Sequence, residues 1–187
     1  TALACSLRGA VCIYQGEELG LPEAEIPFES LRDPYGIEFW PSFKGRDGCR
    51  TPMPWDDAPN AGFSAAQPWL PVPEAHRAHS VAAQERDPDS PLQSFRRFMA
   101  WRHDHAALKW GNLRFLHSDE SLLVFERRLG DEALVVAFNL ADQPAAVELP
   151  LLRGATLLEG HGLASGTLDG TRLAVPAHGA CYARLAR

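Results

Sequence analysis

Past residue 110 the chain keeps a period of two. Short apolar-rich runs follow one another, "LRFL", "SLLVFERRL", "EALVVAFNL", "AAVELP", "ATLLEG", "TRLAVP" and "GACYARLA", between Gly, Asp and Pro turns. Successive side chains of a strand point to opposite faces, so this rhythm predicts seven short strands and a small antiparallel β-sandwich over 111–187. "RLGDEAL" predicts a hairpin turn at Gly130-Asp131. Just upstream, "DPDSPLQSFRRFMAWRHDH" has helical spacing. Asp89 or Ser90 can cap it, Pro91 suits the first turn, and Leu92, Phe95, Phe98 and Met99 form its packing stripe. At the other end "TALACSLRG" reads as the end of a helix closed by Gly9. "AVCIYQG" reads as a buried strand of the parallel-sheet kind.

Between these rhythms the pattern dissolves. From Glu17 to Pro88 prolines stand at 22, 27, 34, 41, 52, 54, 59, 68, 71, 73 and 88. A connection of that length is rare in a compact domain and is usually functional. Trp40, Trp55 and Trp69 lie within it, and a disordered linker would not carry so many aromatics. The segment is expected to be an ordered loop with a short helix near Ser80–Glu85. The fold class is therefore α/β plus all-β: residues 1–110 as the tail of an α/β domain with the long loop 17–88, and 111–187 as the sandwich.

Composition narrows the chemistry. A net charge of -6 with two lysines, Lys44 and Lys109, excludes a phosphate-tracking nucleic-acid surface. No apolar run reaches the roughly 18–20 residues of a membrane helix. Cys5, Cys12, Cys49 and Cys181 form no CxxC pair, and the histidines show no zinc spacing. Small buried thiols in a reducing, cytoplasmic setting are expected, with no metal and no cofactor. The first residue is Thr, and the opening reads as the middle of a domain, so a C-terminal piece of something longer is expected.

Candidate chemistry gathers in "GRDGCRTPMPW", residues 45–55. Arg46 and Arg50 flank Gly48, which can take a positive φ and turn the chain back. Pro52 and Pro54 stiffen the segment, and Trp55 offers an apolar platform. A guanidinium held still suits paired hydroxyls or a carboxylate; the competing reading is an internal ion pair from Arg46 to an acid elsewhere. Glu23 and Glu25 can accept from ligand hydroxyls or simply be solvated, Glu25 the more so. Glu17 and Glu18 follow the apolar run, where ligands bind in α/β folds. As sequence neighbours they diverge, so they are expected to hold backbone amides or an ion pair rather than act as a catalytic pair. His103 and His105 are expected to satisfy helix-end carbonyls.

"VCIYQGEELGL", then "GRDGCRTPMPW", then "DAPNAGFS", in that order, resemble the α-glucosidase and oligo-1,6-glucosidase group of the α-amylase superfamily. The resemblance covers nearly the whole chain. It implies a parent (β/α)8 barrel in which "AVCIYQG" is the eighth strand and the helix at 91–103 closes the barrel. It further implies a retaining mechanism with an Asp nucleophile, a Glu acid/base and a second, stabilising Asp. None of the three lies in these residues: no "NHD" segment occurs, and the calcium-binding segment near the first strand is missing too. Carried over is the sugar-binding Arg of the "RDN-x-R-TPM" motif, which falls on Arg46, with Gly48 where Asn is common. Glu23 falls where some relatives place an acid on the leaving-group side. The expected partners are an oligosaccharide substrate and the remainder of the barrel. A trehalose synthase, a sucrose isomerase and a non-catalytic sugar-binding module are the alternatives.

Overall fold

The computed structural model describes residues 1–186. It forms two compact units, one of residues 1–12 with 94 onward, the other of residues 13–93.

In the first unit a five-residue helix, α1 (Ala2–Ser6), precedes a longer stretch built from α5 (Pro91–His103), α6 (Ala106–Trp110) and eight strands. The helices α2 (Pro34–Glu38), α3 (Glu74–Arg77) and α4 (Val81–Glu85) belong to the second unit. The strands are β1 (Asn112–Ser118), β2 (Leu122–Leu129), β3 (Glu132–Asn139), β4 (Ala145–Glu148), β5 (Thr156–Leu157), β6 (Thr167–Asp169), β7 (Arg172–Val175) and β8 (Ala180–Arg184). They make two antiparallel sheets, ordered β1-β2-β3-β8-β5 and β4-β7-β6. All seven expected runs are strands. The eighth, β6, was not expected, because "TLD" is too short to display an alternation. The hairpin between β2 and β3 pairs Leu129 with Glu132 and turns on Gly130 at φ 55°.

The core lies between the sheets and comprises Leu122, Val124, Val135, Ala137, Leu152, Leu173, Val175, Cys181 and Ala183. Each large side chain buried there contributes about 1.5–3 kcal/mol. β3 is buried on both faces rather than alternating. Its second face meets aromatics: Phe98 and Trp101 of α5 lie 6.2 and 4.7 Å from the Tyr182 ring, and Phe138 lies 6.0 Å from it. Arg127 of β2 is wholly buried, and among the described residues no acid acts on it. It donates to the carbonyls of Ser6, Leu7 and Gly111, while Arg102 donates to Cys5 O at 2.6 Å. The two guanidiniums thereby supply the donors that a helix C-terminus lacks.

Three local expectations change. α1 stops at Ser6 with Leu7 extended, before Gly9 is reached. The segment 10–16 is not a strand, and Tyr14 is 46% exposed. A strand exists only as a pairing, and no described residue exchanges ladder bonds with this one. His105 does not cap a carbonyl; it packs edge-on against Trp101 at 4.2 Å.

The second unit shows the long loop to be ordered. Ser90 Oγ accepts from Gln93 N and caps α5; Ser80 Oγ accepts from Ala83 N and caps α4. Two small apolar clusters anchor it: Leu19, Met53 and Leu92, and Ile26, Leu31 and Leu70. Buried Gln84 joins distant segments, donating to Leu19 O at 2.8 Å and accepting from Leu92 N at 2.9 Å.

Candidate functional site

The loop at 45–55 is fixed by two aspartates, Asp47 and Asp33, that accept from backbone amides. Asp47 Oδ2 accepts from the amides of Arg32 and Asp33 at 2.5 and 2.8 Å. Asp33 Oδ2 in turn accepts from the amide of Arg46 at 2.9 Å and from its Nε at 3.3 Å, while Oδ1 caps α2 through Tyr35 N at 3.0 Å. Burial works to raise the Asp33 pKa. The amides of Arg46 and Tyr35 and the Arg46 guanidinium outweigh it and hold the carboxyl below its ordinary range.

Arg46 thus makes the internal ion pair that was the competing reading of this residue. Its side chain nevertheless remains 59% exposed. The bond to Asp33 uses Nε, which orients the fork and leaves both terminal amino groups free of that contact. Arg50 donates its backbone N–H to Asp47 O at 2.9 Å.

Gly48 differs from expectation. Its φ is not positive; Gly45, at φ 74°, makes the turn. Gly48 instead permits close approach: a Cβ there would lie 2.5 Å from Ala24 O and 2.7 Å from Glu23 Cγ. The amide of Ala24 donates to Gly48 O at 3.0 Å, so the 22–25 segment lies directly on the loop.

Beside this crossing is a cleft of about 440 Å³ at the end of the Ile13–Tyr14 run. Tyr14, Gln15, Glu17, Glu23, Cys49 and His76 are among the residues that line it. Glu23 and Gly48 also border a second cleft of about 380 Å³, with Glu25, Phe43 and Lys44. Arg46 and Trp55 line neither of these clefts. Of the acidic pair, Glu18 holds the Gly16 amide at 2.9 Å, while Glu17 faces the first cleft. Glu25 forms an exposed ion pair with Lys44.

Sequence reasoning did not single out His76, Thr51 or Gln15. His76 is buried, its Nε2 2.7 Å from Pro22 O and its Nδ1 3.2 Å from Thr51 Oγ1. Since a carbonyl only accepts, Nε2 carries a proton and donates it to Pro22 O. Gln15 Nε2 donates to Thr51 O at 3.2 Å. No spacing signal could have found these contacts, which join residues far apart in sequence. Of the cysteines, Cys5 and Cys181 are buried as expected, but Cys12 and Cys49 are exposed. Among the described residues no group of His, Cys, Asp or Glu has metal-binding geometry.

Residues 1–111 match the family model for the alpha-amylase catalytic domain, and residues 113–181 match that for the maltogenic amylase C-terminal domain. The chain is similar to a probable alpha-glucosidase of Rhizobium meliloti (strain 1021), 53% identical over 99% of this chain and 33% of the relative. It is similar to an oligo-1,6-glucosidase of Parageobacillus thermoglucosidasius, 31% identical over 77% of this chain and 29% of the relative. Among solved structures, the alpha-glucosyl transfer enzyme XgtA superposes with a TM-score of 0.92 at 48% identity, covering 100% of this chain and 34% of that one. The chain thus spans about a third of the length of these relatives.

Proposed function

The chain belongs to the alpha-amylase family, carrying the C-terminal part of its catalytic domain and the domain that follows, and from that membership we propose that it is part of a retaining α-glucosidase. The parent hydrolyses terminal α-glucosidic bonds of short oligosaccharides. This chain supplies one wall of the sugar pocket and none of the three reacting carboxylates.

The observation that carries the reading is the cleft at Tyr14–Glu17, which places Glu17 and Glu23 on one concavity against the stiff loop at Gly48–Cys49. Clefts with a few convergent polar groups are where small ligands bind. Glu23 accepts from substrate hydroxyls there. Arg46, oriented by Asp33, reaches the sugar from the loop's outer side once the remaining residues of the barrel complete the pocket. Glucosyl transfer rather than hydrolysis is the second reading, favoured by the likeness to XgtA; it differs in whether water or a sugar accepts the glucosyl group.

The test is an amide NMR titration of the chain with maltose and glucose. Shifts at Glu17, Glu23 and Gly48 that shrink in Glu23→Gln are expected. Shifts confined to residues 112–186 would overturn the pocket reading in favour of a sugar-binding sandwich.

A further inference from the structure

The crossover from β5 to β6 leaves one sheet and enters the other without regular structure. At its centre is His161, which is 2% exposed. Gly160 and Gly162 flank it at φ 85° and 75°, conformations that drive the imidazole inward. The ring stands 5.4 Å from Trp101 at 78° and 5.1 Å from Tyr182 at 53°.

The protonation state of His161 follows from geometry. Its Nδ1 accepts from Leu163 N at 3.2 Å, so it carries no proton. The proton is on Nε2, which is buried with no hydrogen-bond partner. A second proton can enter only at Nδ1. It would break the bond to Leu163 and place a charge in a site with no acceptor for it.

The surrounding groups offer that charge nothing. From α5 come Trp101 and Arg97, whose Nε would lie 3.1 Å from a Cβ on Gly162. From β8 comes the Tyr182 hydroxyl, which is 2.8 Å from Ser6 Oγ. No carboxylate acts on His161 among the described residues, and burial alone lowers its pKa. The other buried histidine on Trp101 has a carboxylate in reach: His105 Nδ1 lies 3.6 Å from Glu132 Oε1, although Glu132 also faces Arg184 at 4.0 Å and burial still lowers the His105 pKa.

We propose that His161 is an acid-released latch: as the neutral Nε2–H form it pins the 158–166 crossover to Trp101 and Tyr182, and on protonation it lets that crossover swing out. The sign follows from linkage. The folded site binds the proton more weakly than the open one, so closure is fully favoured above the ordinary histidine pKa of 6.5 and weakens as pH falls below it.

The test is amide hydrogen exchange of the chain, corrected for intrinsic rates, at about pH 7.5 and about pH 5. Each pH unit by which protonation of closed His161 lags that of the open form changes the opening equilibrium by about tenfold. Peptides covering 158–166 are expected to lose about tenfold or more of their protection in the wild type and in His105→Phe, and to lose none in His161→Phe. Equal wild-type protection at both pH values, or a His161→Phe profile that follows the wild type, would overturn the latch. Should His161→Phe not fold, nitrogen-detected NMR of the wild-type imidazole decides instead. A neutral Nε2–H signal persisting at about pH 6 supports the proposal, and a cationic ring in the closed state overturns it.

Discussion

Glu23 lies across the bare α-carbon of Gly48: the space a Cβ would need at Gly48 is already filled by Glu23 Cγ, 2.7 Å away, and Ala24 O, 2.5 Å away. The two residues share the border of both clefts. At position 48 this chain has room only for Gly, and the consequence is the position of an acid.

Gly48→Ala therefore forces the 22–25 segment off the loop. The expected cost is about 1–3 kcal/mol, typical of overpacking against atoms that cannot move aside. A lower urea midpoint with an unchanged slope checks it. Any sugar-induced shift at Glu23 should weaken in the same variant.

Asp33→Asn removes the acceptor charge for the Arg46 amide and guanidinium. In the wild type the carboxyl sits below its ordinary pKa. Its stabilisation is thus present above the unfolded value of 3.8 and is lost as pH falls through the folded value. Thermal melts of wild type and variant are expected to converge on acidification below about pH 4. Melts that keep a constant separation down to about pH 2 would contradict this.

Arg127→Met keeps the bulk but removes the donors to Ser6, Leu7 and Gly111 carbonyls. A buried acceptor left without a donor costs about 1–3 kcal/mol, so a loss of about 2–5 kcal/mol is expected. Hydrogen exchange should report it first at α1, whose C-terminal carbonyls lose their partner.

The purified chain should release no glucose from maltose, isomaltose or an aryl α-glucoside, since the expected nucleophile, acid/base and stabilising acid lie outside it. Turnover above a buffer blank that survives repurification would refute the assignment of roles. Adding back the preceding part of the barrel should restore activity, and Arg46→Ala and Glu23→Gln should then reduce it, with the larger effect expected from Arg46.

What the sequence decided by itself is whatever depends on neighbours along the chain. Period-two alternation marked the strands from β1 to β8 except β6, whose three residues carry no rhythm. Asp89 or Ser90, with Pro91, marked the start of α5, and Trp40, Trp55 and Trp69 marked the proline-rich loop as ordered. Tertiary structure decided what depends on which distant segments meet. The run at 10–16 has the composition of a strand, yet a strand needs a partner ladder, and composition cannot supply one. Asp33 and Asp47 look like ordinary loop acids until folding brings Asp47 against the Asp33 amide and Asp33 against the Arg46 amide. Gly48 reads as a turn residue, but only the passage of Glu23 and Ala24 over it shows that space, not φ, is the reason for glycine. His161 has no motif at all; burial between Trp101 and Tyr182 gives it its chemistry, because a proton's cost is set by the surroundings a side chain reaches in three dimensions.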